Sequence, residues 1–219
     1  MAGLPLARSG AAVILDDSSV DPVTDAYDHY QFTANSTVNN GQDYSDNSGP
    51  PGQTFTTPGG GANYTLTVIG FKGSGQADGS IGQSGWAFRI SSVSGSTLTP
   101  ISTFGIPTSL PGNFGLSSSN WLLLSLTDSD FLSLLPSTTY AIEAFSDSRW
   151  WGFGEAADGN YAGGSAFNSN SGQRSFSGTS ISLRGRDRAF FVDLTPVPEP
   201  SAAMLGWAAL GIGALRRRR

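Results

Sequence analysis

Few side chains in this sequence have the type and spacing that catalysis needs. The only histidine is His29, in Asp28-His29-Tyr30. A general base must be held against the proton it takes, whereas a lone histidine in a polar stretch is ordinarily solvated, and that is the expectation for His29. Glu143 and Glu155 are the carboxylates that a glycosidase would place at a fixed separation across a sugar bond. Glu143 falls on an expected strand and Glu155 in a glycine-rich loop. Both are expected to lie exposed and to serve solubility. No Gly-x-Ser-x-Gly elbow occurs, which argues against an α/β-hydrolase. Lys72 is the only lysine and closes no glycine-rich phosphate loop. Gly152-Phe153-Gly154-Glu155-Ala156-Ala157 has the glycine spacing of a dinucleotide fingerprint. It lacks the βαβ unit and the following amphipathic helix that such a site requires. Cysteine is absent, which removes thiol catalysis and cysteine-based metal sites. The expectation is a protein that is not an enzyme.

Two binding chemistries remain. Asp43 with Asp46, Asp128 with Asp130, and Asp158 with Asn160 are oxygen ligands in or beside turns. Calcium takes six to eight such oxygens, but the spacing is not that of an EF-hand, and turn capping is the ordinary role of these residues. No cofactor is therefore expected, with calcium the one ion the turns are suited to, at Asp128, Asp130 and Asp158. The second chemistry is aromatic. Arg149-Trp150-Trp151-Gly152-Phe153 lies just after an expected strand, with Tyr161 following. Sugars stack on flat rings, so Trp150, Trp151 and Tyr161 are candidate glycan contacts; the alternative is that the rings plug one end of the domain.

The elements that would position these groups are short strands. Tyr64, Leu66 and Val68 alternate with threonines, Trp86, Phe88 and Ile90 with Ala87, Arg89 and Ser91, Tyr140, Ile142 and Ala144 with Ala141 and Glu143, and Phe190, Val192 and Leu194 with Phe191 and Asp193. Period two is the mark of half-buried strands. Residues 53–57, 98–104, 121–126 and 181–184 give fainter strand patterns. Gly, Pro, Asn and Asp clusters separate the runs as turns. One stretch, 128–135, reads as a helix with Asp128 or Ser129 as cap and Pro136 as stop. The pattern predicts an all-β, antiparallel β-sandwich of jelly-roll-like form over residues 51–196, preceded by a loose polar N-terminal segment, residues 1–50.

Composition agrees with an extracellular β domain. Charged residues are 13% of the chain against about 25% in an average soluble protein. Residues 1–196 hold 8 basic and 16 acidic side chains, a net charge of −8 that repels nucleic acid.

Residues 197–219 differ from everything before them. Val197-Pro198-Glu199-Pro200 leads into residues 201–215, which run without a charge from Ser201 through Leu205, Trp207, Leu210 and Ile212 to Leu215. Arg216, Arg217, Arg218 and Arg219 follow. As a hydrophobic helix the 15 residues would span about 22 Å, short of the hydrocarbon core of about 30 Å. That describes a marginal anchor. The arginines keep to the cytoplasmic side, which puts the body on the far side of the membrane.

A Val-Pro-Glu-Pro-Ser motif, a short apolar stretch and a closing arginine run resemble the PEP-CTERM sorting signal. The resemblance implies export, an exosortase-type membrane enzyme as processing partner, and cleavage near Pro198-Glu199-Pro200. It further implies a precursor anchored in the inner membrane and a mature protein at the cell surface or outside the cell. It also implies a secretion signal at the N-terminus. Here the apolar run Ala11-Ala12-Val13-Ile14-Leu15 ends at Asp16-Asp17, below the 7–15 residues a signal core needs. In the body, Phe55-Thr56-Thr57, Tyr64 to Thr67, Arg89 to Gly95 and Ser137 to Tyr140 resemble in order the choice-of-anchor β-sandwich domains. The expected function is a structural or adhesive surface protein, with extracellular polysaccharide as a candidate partner. The alternative is a carbohydrate-binding module using Trp150, Trp151 and Tyr161, and a secreted glycoside hydrolase stands third.

Overall fold

The structure is a computed structural model. It describes residues 14–16, 20–33, 50–77, 86–105, 121–127, 130–146, 151–156, 161–169 and 177–198.

Strands are numbered in chain order, and every pairing among them is antiparallel. The first sheet runs β1 (Ile14–Asp16), β7 (Trp121–Ser125), β4 (Tyr64–Ala77), β15 (Phe190–Pro196) and β2 (His29–Gln31). Against the long β4 also pair β8 (Leu132–Leu134) and β10 (Trp151–Phe153). The second sheet runs β13 (Ile181–Leu183), β12 (Ala166–Ser169), β3 (Pro51–Thr56), β9 (Thr139–Ser146), β5 (Trp86–Ser94) and β6 (Thr97–Gly105). A short ribbon joins β11 (Glu155–Ala156) to β14 (Asp187–Arg188). The described residues are all-β, and no helix occurs among them.

The two sheets face each other across one apolar core. Leu66, Ile69, Phe71, Leu122, Leu124, Phe190, Val192 and Leu194 come from the first sheet. Phe55, Phe88, Ile90, Phe104, Tyr140, Ile142 and Ala144 come from the second. Phe71 and Phe88 stack across the gap with ring centres 6.2 Å apart. Leu66, Phe88, Ile90, Tyr140, Ile142, Ala144, Phe190, Val192 and Leu194 are residues whose period-two spacing marks them as one face, and Val68 is the exception. Val68 was expected inward with Leu66, but Ile69 and Phe71 take that place. The register slips between Asp193 and Leu194, so that Thr67 is an extra residue on β4. A bulge of one residue exchanges the faces of everything beyond it.

The second sheet also curls. Its outer strands β13 and β6 meet through a bridge between Thr97 and Ser180. The Leu98 N–H donates to the Thr179 carbonyl at 2.8 Å, and the Ile181 N–H to that of Ser96 at 2.9 Å. The six strands thus enclose a second, smaller interior on the face turned away from the first core. Leu98, Ala141, Phe167 and Ile181 fill it, with Val93 against them. Gly52 is required there: a Cβ on it would stand 2.5 Å from the Ile142 carbonyl oxygen and closer still to the Phe167 ring.

Three expectations are corrected. The helix expected over 128–135 is replaced by β8, whose Leu132 and Leu134 pair with Leu66 and Tyr64. Burial of Leu134 in the core outweighs the local cap and proline stop. The N-terminal segment, expected to be loose, supplies β1 and β2 as outer strands of the first sheet. Finally, β10 and β11 lie in what the sequence reads as a glycine-rich loop, and β12 and β14 where it marks no strand; each has only two to four residues, too few for alternation to register.

Candidate functional site

Adjacent antiparallel strands bring together groups distant in sequence. Arg89 on β5 stands opposite Glu143 on β9, inside the curled second sheet. The guanidinium Nη2 and Nε each lie 2.6 Å from Glu143 Oε2, and Nη2 also donates to the Gly178 carbonyl at 3.0 Å. Both side chains are sealed, at 2% and 0% exposure. Burial pushes the Glu143 carboxyl above its usual range, and Arg89 pulls against that shift.

A second polar cluster sits where the β11–β14 ribbon meets β3. Glu155 accepts from Arg186 at 3.0 Å and is ion-paired with Arg188. Gln53 donates to Asp187 at 3.0 Å and accepts from the Arg188 N–H at 2.8 Å. The second Asp187 oxygen accepts from the Tyr161 N–H at 2.9 Å. Glu143 and Glu155 were expected to be exposed; both are buried, and each faces a guanidinium. A buried carboxylate needs a partner of this kind, and the arrangement ties strands together while turning neither carboxylate to solvent.

His29 is likewise not a solvated loop residue. It lies on β2, and its Nδ1 is 2.7 Å from the Tyr161 hydroxyl. Its ring packs on Phe55 at 5.5 Å, and its Nε2 meets no hydrogen-bond partner among the described residues. Loss of solvation lowers the His29 pKa to about 4. Tyr161 turns inward as well, edge-on to Phe190 at 5.0 Å, and joins the core. Its hydroxyl pKa is raised by burial. As a glycan platform Tyr161 is therefore corrected: its ring packs against protein. Trp151 begins β10 opposite Ala77, while Trp150 lies outside the described residues.

Of the calcium candidates, Asp130 is buried, and Asp43, Asp46, Asp128 and Asp158 lie outside the described residues. No three acidic or histidine side chains gather as a metal site among the described residues.

The outer face of the first sheet carries a polar clamp that sequence reasoning missed. Lys72 donates to Asp21 at 2.7 Å and stands 5.4 Å above the Trp121 ring, whose Nε1 donates to the same carboxylate at 3.0 Å. Burial alone would raise the Asp21 pKa; the hydrogen bonds from Lys72 and Trp121 outweigh it and hold it low. The partners are about fifty and one hundred residues apart in sequence, with no local pattern linking them.

The strand that leads to residues 197–219 is β15. It lies between β4 and β2 and is bonded to β4 from Phe190 to Pro196. The Val197 N–H donates to the Asn63 carbonyl at 2.8 Å, so the first residue of Val197-Pro198-Glu199-Pro200 is still fastened to the sandwich. Glu199, Pro200, the apolar run and the arginines lie outside the described residues, as does the helix expected there. Among the described residues no helix is long and apolar enough to cross a membrane. The exit beside Tyr64 and the β10 pairing at Ala77 are at opposite ends of β4, about 40 Å apart at a strand rise of about 3.3 Å per residue.

No family model, no curated protein and no solved structure matches this chain.

Proposed function

We propose that this is an exported surface protein of structural or adhesive type, carried outward and sorted by a tail of the PEP-CTERM kind. The observation that carries the reading is the order of residues 197–219: Pro198-Glu199-Pro200, fifteen uncharged residues, then four arginines. A stretch shorter than the bilayer core, closed by cations, suits a temporary anchor held with its arginines inside. The body is read as a jelly-roll-like sandwich that hangs outside. What supports a structural rather than catalytic role is that Glu143 and Glu155 are both buried against guanidinium groups.

The second reading is glycan contact. The observation in its favour is the place of β10, which pairs Trp151 with Ala77 at the end of β4 far from the exit at Pro196 and hence outermost on an anchored molecule. Tyr161 does not contribute to it. Replacing Trp150 and Trp151 by alanine separates the two readings: retention on polysaccharide that persists unchanged removes the glycan module. Expression of the chain with and without residues 201–219 tests the first. Membrane association confined to the longer form supports it, and equal fractionation of both forms removes it.

A further inference from the structure

We infer that the exit end of the sandwich rests on the bilayer surface, with Leu135, Val197 and Tyr27 in the lipid headgroup region. The inference stands on the proposed tail anchor and adds a lipid-contacting face on the folded body.

The geometry begins at β15. Pro196 pairs with Tyr64, and Tyr64 on its other side pairs with Leu134. One residue further out, Val197 and Leu135 therefore flank Asn63, about 10 Å apart across three strands. Leu135 is 58% exposed, Val197 40% and Tyr27 39%, the last with its ring 6.1 Å from that of Tyr64. These side chains are apolar or amphipathic and face out at the edge from which the chain departs.

The turns at this end are uncharged. Residues 57–63 lead into β4, residues 94–97 join β5 to β6, and residues 135–138 lead into β9; none contains Asp, Glu, Lys or Arg. They are also braced, since the Ser137 N–H donates to the Pro58 carbonyl at 3.1 Å and the Tyr64 hydroxyl to that of Gly59 at 3.2 Å. The charges of the fold concentrate toward the other end, at Lys72, Glu155, Arg186, Asp187 and Arg188. Asp25 and Asp28 flank Tyr27 in sequence: Asp25 accepts from the Tyr27 N–H at 2.7 Å and Asp28 from the Leu194 N–H at 3.3 Å, so the uncharged floor is formed by the three turns together with Leu135 and Val197. An uncharged floor approaches a membrane without stripping water from ions.

Chain length fixes the distance. From Val197 to Ser201, where the uncharged run starts, the backbone reaches at most about 14 Å. A sandwich whose last fastened residue is Val197 cannot stand further off than that. Tethering at such range makes even a small apolar patch effective, because contact becomes intramolecular.

The absence of cysteine makes the test direct. Leu135→Cys, Asn63→Cys and, at the far end of the second sheet, Gly105→Cys are introduced singly into the full chain. Each is labelled with an environment-sensitive fluorophore and reconstituted into phosphatidylcholine vesicles carrying a headgroup-attached quencher. Thermal midpoints equal to that of the unsubstituted protein establish that each variant is folded. The probes at 135 and 63 are expected to lose most of their emission while the probe at 105 keeps it. Equal emission at all three sites on vesicle-bound protein overturns the apposition and leaves the anchor reading standing. Protein that fails to float with the vesicles removes both.

Discussion

Arg89 and Glu143, fifty-four positions apart in sequence, form a sealed ion pair inside the curled second sheet, with Nη2 2.6 Å from Oε2. The pair sits beside the small apolar cluster of Leu98, Ala141, Phe167 and Ile181, where an unpartnered charge would be costly. Glu143→Ala is expected to lower stability by about 3–5 kcal/mol, because it strands the guanidinium. Joint replacement of Arg89 by Met and Glu143 by Leu is expected to recover most of that loss. Denaturant midpoints of the wild type, the single variant and the double variant check both statements.

The core-facing half of the sandwich is legible in the sequence because period-two spacing records which residues share a face. Phe88 and Ile90, Tyr140 and Ile142, and Phe190 and Val192 all point inward as their spacing demands. Alternation does not record what covers the other face. Arg89 and Glu143 occupy the positions a solvent-facing pair would, and it is the closure of β6 onto residues 178–181, a tertiary event, that encloses them. His29 fails for a similar reason: one histidine in a polar stretch carries no local sign of Tyr161 or Phe55. The stretch around Leu132 carries a helix signature because a cap and a proline are local features, while the pairing with Leu66 is not.

His29 makes stability depend on pH. Its pKa falls from the ordinary 6.5 to about 4 in the folded chain. The unfolded chain therefore binds a proton that the folded one refuses, and stability is expected to fall as pH drops from about 6.5 toward 4. Asp28, whose pKa is raised by burial, acts in the opposite sense, so the comparison is with His29→Gln at matched pH. Thermal midpoints at pH 7 and pH 4.5 are expected to differ less in His29→Gln than in the wild type. An unchanged difference contradicts the assignment.

The Tyr161 hydroxyl is held between core and His29 and also accepts from the Thr56 backbone N–H, so Tyr161→Phe removes two hydrogen bonds and leaves Nδ1 unpaired. A loss of about 1–3 kcal/mol is expected, read from denaturant midpoints. Retention on polysaccharide is expected to be unchanged in the same variant, since the ring faces inward.

Gly52→Ala is expected to cost about 1–3 kcal/mol or more, because its Cβ would collide with Phe167 and the Ile142 carbonyl. Gly105→Ala, with open space around the added atom, is expected to stay within about 0.5 kcal/mol of the wild type. Comparable losses in both would contradict the packing of Phe167 over Gly52.

The mass and location of the mature chain in its native cell test the central claim most directly. Export followed by trimming puts a polypeptide outside the cytoplasm that ends near Pro198-Glu199-Pro200 and lacks the four arginines. An intact chain that still carries Arg219 and remains in the soluble cytosol would contradict it.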